Sequence, residues 1–270
     1  MTIRNLHVLL FALIGTISIF IGNSQSEEEG VVKILKGTYT PMYTNTEISE
    51  GQVSVNSFYI DKYPVTNEDF LDFIKSEFGK KWKKSKATAL FVDENYLSNW
   101  ENDITLKPSI LRKSPVTNVS WFAAKSYCEY KGGRLPTIRE WEYVALADET
   151  KPNATGDSLY VRKILAWYEA PSTVNKEVGQ AVNYWGVYDL FGLVWEWTSD
   201  FNSIIISGDS RKKGDLNKKL FCGGSIVGAS DLLDYAAFAR YAFRGSLEPK
   251  YAIRNLGFRC ACDDVENKIE

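Results

Sequence analysis

From about Lys151 onward the chain is interrupted by Gly, Pro, Asn or Asp every few residues, as in NYWGVYDLFGLVWEWTSDFNS. No apolar period there outlasts a strand or a turn. Such a chain points to an α+β domain with much irregular structure, and irregular structure needs anchors. Eight tryptophans, Trp82, Trp100, Trp121, Trp141, Trp167, Trp185, Trp195 and Trp197, are spread along the whole length. Each can bury roughly 150–250 Å² against a loop.

The earlier part of the chain carries clearer helix signals. In TNEDFLDFIKSEFG, Thr66 and Asp69 have the spacing of a helix-capping pair, and Phe70, Phe73, Ile74 and Phe78 share one helical face. SWFAAKSYCEYKGG starts at a capping Ser120 and stops at Gly132-Gly133. TIREWEYVALA has a Thr137/Glu140 capping box and turns Trp141, Val144 and Ala145 inward.

Residues 1–26 have the form of an export signal: Arg4 as the basic flank, an apolar run from Leu6 to Ile21, and Ser24-Gln25-Ser26 before an acidic triplet. The expectation is a secreted or periplasmic protein, with an uncleaved N-terminal anchor as the alternative. One domain then occupies residues 27–263, followed by a polar tail at 264–270. Removing the leader takes away one base and no acid, so the net charge goes from −2 to −3. That balance makes no electrostatic case for nucleic acid or an anionic membrane surface. KKWKKSK, Lys80 to Lys86, is the only basic cluster and reads as a solvated loop.

The single histidine, His7, lies inside the leader. Ser-His and Cys-His nucleophile pairs, imidazole bases and three-histidine metal sites are therefore excluded from the mature chain. Four cysteines remain for chemistry or cross-linking: Cys128, Cys222, Cys260 and Cys262. An even number in an exported chain favours disulfides, with three connectivities open for two bridges. Asn118 in NVS and Asn153 in NAT fit the glycosylation pattern.

Several blocks, FYIDKYPVTNEDFLDF, PVTNVSWFAAKSYCEYKGGRLPTIREWEYVA, WGVYDLFGLVWEWTSDF, GGS and NLGFRCA, resemble in order and spacing the formylglycine-generating enzyme, or sulfatase-modifying factor, family. The resemblance implies an irregular α+β fold related to the C-type lectin fold. It also implies an oxidoreductase that converts a protein cysteine to formylglycine with oxygen and one copper ion held by two cysteines. Those cysteines fall at the third and eighth positions after the serine of GGS, which is Ser225. Here Gly228 and Leu233 stand there, so copper is not expected at those positions. A family asparagine is replaced by Leu193, whereas Trp195, Ser225 and Asn255 match pocket positions. The implied reading is a pseudoenzyme acting as a binding or accessory protein for a protein or peptide partner in the cell envelope.

The resemblance further pairs Cys128 with Cys260 in a structural disulfide. Cys222 and Cys262 are left as a second disulfide, a pair of free thiols, or a thiolate copper or redox site; in the last case they and Ser225 are the catalytic candidates. One family calcium site maps onto DLFGLVWE, with the side chains of Asp189 and Glu196 and the carbonyls of Gly192 and Val194 as ligands, and calcium is the expected cofactor. A second family calcium site is missing, since Pro64 stands where an acidic residue is required.

Overall fold

The computed structural model describes residues 30–40, 52–169, 176–202 and 232–265. The leader, the segment holding Cys222, Ser225 and Gly228, and most of the polar tail fall outside them. The described part is α+β with a large irregular share, as the block pattern of the sequence implies. Strands β1 (Val31–Ile34), β4 (Phe58–Asp61) and β7 (Ala261–Asp263) form an antiparallel sheet in the order β1-β4-β7. Side chains alternate across a strand, so Phe58 and Ile60 of β4 are buried while Tyr59 between them is half-exposed. Two short pairs complete the sheets: β2 (Gly37–Tyr39) with β3 (Val53–Val55), antiparallel, and β5 (Trp195–Glu196) with β6 (Leu256–Gly257), parallel.

Helix α1 (Asn67–Lys75) begins with Thr66 accepting the Asp69 amide while the Asp69 carboxylate accepts that of Thr66. The expected capping box is thus formed. Phe78 departs from expectation: α1 stops at Lys75, and Phe78 lies beyond it, 47% exposed, against Phe73 and Tyr130. Helices α2 (Trp121–Tyr130), capped by Ser120, and α3 (Ile138–Val144), with the Thr137/Glu140 box, follow their sequence signals.

Two helices lie in the part of the chain that was expected to hold nothing longer than a strand or a turn. They are α4 (Ser158–Glu169) and α5 (Leu232–Gly245), the longest in the described residues. In α5 the inward face carries Ala236, Ala237, Arg240 and Arg244, all buried. Two of these four inward residues are arginines, so the core side of α5 is not the purely apolar stripe by which an amphipathic helix is usually recognised.

Several of the tryptophans anchor loops through their indole N–H groups as well as their surface. Trp100 donates to Asn67 Oδ1 at 3.1 Å, Trp121 to the Thr198 carbonyl at 3.0 Å, and Trp197 to the Val119 carbonyl at 3.0 Å. Each bond joins segments distant in sequence, which is how a chain with little regular structure keeps one arrangement. One core layer packs α1 and α2 around Phe70, Phe73, Tyr127 and Phe258, and a second lies between the three-stranded sheet and α3. Cys128 on α2 and Cys260, next to β7, form a disulfide. Asn118 is 4% exposed and donates to the Ala252 carbonyl, so its NVS sequence offers no accessible acceptor for a glycan. No helix among the described residues is long and apolar enough to cross a membrane.

Candidate functional site

The parallel contact between β5 and β6 brings together two of the expected pocket residues. The Trp195 amide donates to the Asn255 carbonyl at 2.8 Å, and the Trp197 amide to that of Gly257 at 3.0 Å. Gly257 has to be glycine: a Cβ there would lie 2.7 Å from the Val116 carbonyl oxygen and 3.2 Å from Val194 Cγ2. The strand alternation then sends Trp195 to the half-exposed side and Glu196 into the interior.

Around Trp195 the structure assembles an aromatic wall that sequence reasoning missed. Its ring centroid lies 5.0 Å from Trp167 and 5.0 Å from Tyr168, both on α4, and 4.5 Å from Phe243 on α5. All four residues are half-buried, so the wall keeps part of its aromatic surface in solvent. The signal for it was WYE in α4 and YAF in α5, which no period connected to Trp195.

Behind the wall lies a buried charge cluster. Glu142 of α3 accepts from Arg240 at 2.6 Å and from Arg244 at 2.6 Å, and all three are at most 4% exposed. Arg240 also donates to the Tyr168 hydroxyl at 2.9 Å, tying the wall to the cluster, and the Arg244 guanidinium sits 4.7 Å above the Trp141 ring. Burial pushes the Glu142 carboxyl up, but the two guanidinium charges and their hydrogen bonds outweigh it and bring it down to about 2. Burial pushes the Tyr168 phenol above its usual range. Locked as a carboxylate by two cations, Glu142 is no proton shuttle near neutrality. The arrangement is suited to stacking and hydrogen bonding.

The turn expected to hold calcium is organised differently. Asp189 adopts φ of 58°, a left-handed conformation uncommon for a residue with a side chain. Its carboxylate accepts the amides of Gly179, Gln180 and Ala181, which hold it there. Glu196 accepts from Arg259 Nη2 at 2.8 Å and from the Trp141 indole at 2.7 Å, with Glu196 and Arg259 side chains wholly buried. Arg259 donates its remaining hydrogens to the Tyr188 and Asp61 carbonyls. Both carboxylates are thus committed, one of them to a cation that would repel a metal, and this arrangement does not fit a calcium ion on Asp189, Gly192, Val194 and Glu196. Arg259 is the residue sequence reasoning overlooked. A lone arginine in the apolar block NLGFRCA was its signal, because a buried guanidinium needs a carboxylate.

Cys262 lies on β7, half-buried and opposite Tyr59 in register. Its expected partner Cys222, together with Ser225 and Gly228, lies outside the described residues; Leu233 falls on α5. At positions 228 and 233 glycine and leucine supply no thiolate, the soft donor that suits copper(I).

The family model for the sulfatase-modifying factor enzyme 1-like domain matches residues 18–264. The chain belongs to this family. The formylglycine-generating enzyme of Mus musculus is 31% identical over 257 residues, covering 79% of this chain and 68% of that protein. The protein described as inactive C-alpha-formylglycine-generating enzyme 2, also of Mus musculus, is 30% identical over 272 residues, covering 85% and 82%. Among solved structures, PvdO from Pseudomonas aeruginosa is 18% identical with a TM-score of 0.46, over 87% of this chain and 94% of that one. The described residues of this sulfatase-modifying-factor chain are α+β with much irregular structure, as the family resemblance implies.

Proposed function

We propose that this sulfatase-modifying-factor protein is exported and has given up the family's copper oxidase chemistry. It serves as a binding or accessory protein for a protein or peptide partner in the cell envelope. The observation that carries this reading is the pair Gly228 and Leu233 at the two positions assigned to copper thiolates. Support comes from the Cys128–Cys260 disulfide, which suits an oxidising compartment, and from an aromatic wall equipped to stack a ligand. A relative described as inactive gives a precedent within the family.

The test incubates the purified chain with a Cys-x-Pro-x-Arg peptide, copper and oxygen, and reads aldehyde by mass spectrometry. No aldehyde is expected, while Trp195→Ala should lose a partner that wild type captures from envelope extracts. Aldehyde formation would overturn the reading. The competing reading, an atypical thiol-copper oxidase on Cys222 and Cys262, requires turnover that disappears in Cys262→Ser.

A further inference from the structure

The basic run KKWKKSK has no part in the site around Trp195. In the fold it is more than a solvated loop. A 3-10 turn at Lys80–Trp82 carries the Trp82 side chain inward, to 7% exposure, while its lysines stay at the surface. Between this turn and α2 lies a cavity of about 330 Å³ whose lining includes Lys81, Trp82, Lys86, Phe91, Phe122 and Ser126. That volume is in the range of small-ligand pockets.

Two polar groups of the lining residues lack a partner. Trp82 Nε1 and Ser126 Oγ are buried and make no hydrogen bond among the described residues. Buried donors are almost always paired, and an indole N–H can only donate, so the missing partner of Trp82 is an acceptor. The apolar walls are aromatic: Phe91 lies 5.1 Å from Phe122 and 6.3 Å from Trp82, edge to face in each case. The charge is one-sided. Lys125 of the lining is paired with Glu129, whereas Lys81 lies over the Phe78 and Trp82 rings and Lys86 within electrostatic reach of Glu77 and Asp103, neither of them ion-paired with a carboxylate of the lining.

We propose that this cavity binds a small aromatic carboxylate. Its ring packs against Phe91 and Phe122, its charge faces Lys81 and Lys86, and its oxygens accept the hydrogens of Trp82 and Ser126. Both unpaired atoms are closed to water as the cavity stands. Reaching them therefore requires side chains of the lining to shift. The assignment is independent of the reading of the Trp195 wall and of any oxidase activity.

Titration calorimetry of the full chain at low salt with 4-phenylbutyrate and its neutral counterpart 4-phenylbutanol tests it. The acid should bind about tenfold more tightly than the alcohol, and a Lys81→Gln/Lys86→Gln variant should remove that difference. Trp82→Phe, which keeps a ring and deletes the N–H, should weaken the acid by roughly five- to tenfold. Thermal midpoints of the variants serve to show that they remain folded, and the lysine pair, being exposed, keeps the test valid if Trp82→Phe does not fold. Equal binding of acid and alcohol, no binding of the acid up to about 10 mM, or an unchanged preference in the folded lysine variant would overturn the proposal.

Discussion

At the scale of single residues, the exchange at Glu196 matters most. Its two oxygens meet the Arg259 guanidinium in a wholly buried pair, with the Trp141 indole completing the set. Removing one member of such a pair strands the other charge, at a cost of about 3–5 kcal/mol. Glu196→Ala should therefore lower the urea midpoint sharply, and Glu196→Leu combined with Arg259→Met should recover part of the loss. The same commitment of oxygens predicts that calcium added after chelation leaves the wild-type melting midpoint where it was. A rise that Asp189→Ala abolishes would place a metal in the turn after all. None of this was legible beforehand: Glu196 and Arg259 are 63 positions apart, and no local pattern connects them.

At the scale of elements, α3, α4 and α5 meet at the carboxylate of Glu142. Arg240 and Arg244 are one helical turn apart on α5, so both guanidinium groups reach the same acceptor, and Tyr168 of α4 joins through Arg240. The folded-state pKa of Glu142, about 2, lies below the ordinary value of 4.5. Its contribution to stability is therefore fully present above pH 4.5 and is lost as the pH falls from there toward 2, amounting to about 3 kcal/mol over that interval. Denaturant melts at pH 7, 4 and 2.5 should show this loss in wild type, and Glu142→Gln should be less stable at pH 7 with a flatter profile in the same window. If the two proteins lose stability in parallel on acidification, the carboxylate is not the acid-sensitive tie between these helices.

At the scale of the whole molecule, the disulfide is the covalent tie among the described residues. Cys128 and Cys260 are separated by 132 positions. The bridge thus closes a loop containing α3, α4, the Trp195 site and α5. Closing a loop of that length removes much of the unfolded chain's freedom, worth roughly 3–5 kcal/mol. Cys128→Ser should lower the unfolding midpoint, and by more than Cys222→Ser. The reverse order would assign the structural cross-link to the other cysteine pair.

What the sequence determined by itself was what local chemistry encodes. The helix starts at Thr66, Ser120 and Thr137 were readable because a capping side chain bonds amides two or three residues away, and their signals need no other part of the chain. The exclusion of imidazole chemistry and the missing thiols at 228 and 233 were readable because they are matters of composition and position. The tertiary structure decided what depends on partners far along the chain. Only the fold could show that α5 turns two arginines inward, since a charged inner face is tolerated only where a distant Glu142 answers it. It likewise took the fold to place Trp195 among Trp167, Tyr168 and Phe243, and to turn Glu196 toward Arg259. A side chain's role there is set by the groups that burial brings against it, and burial is a property of the assembled chain.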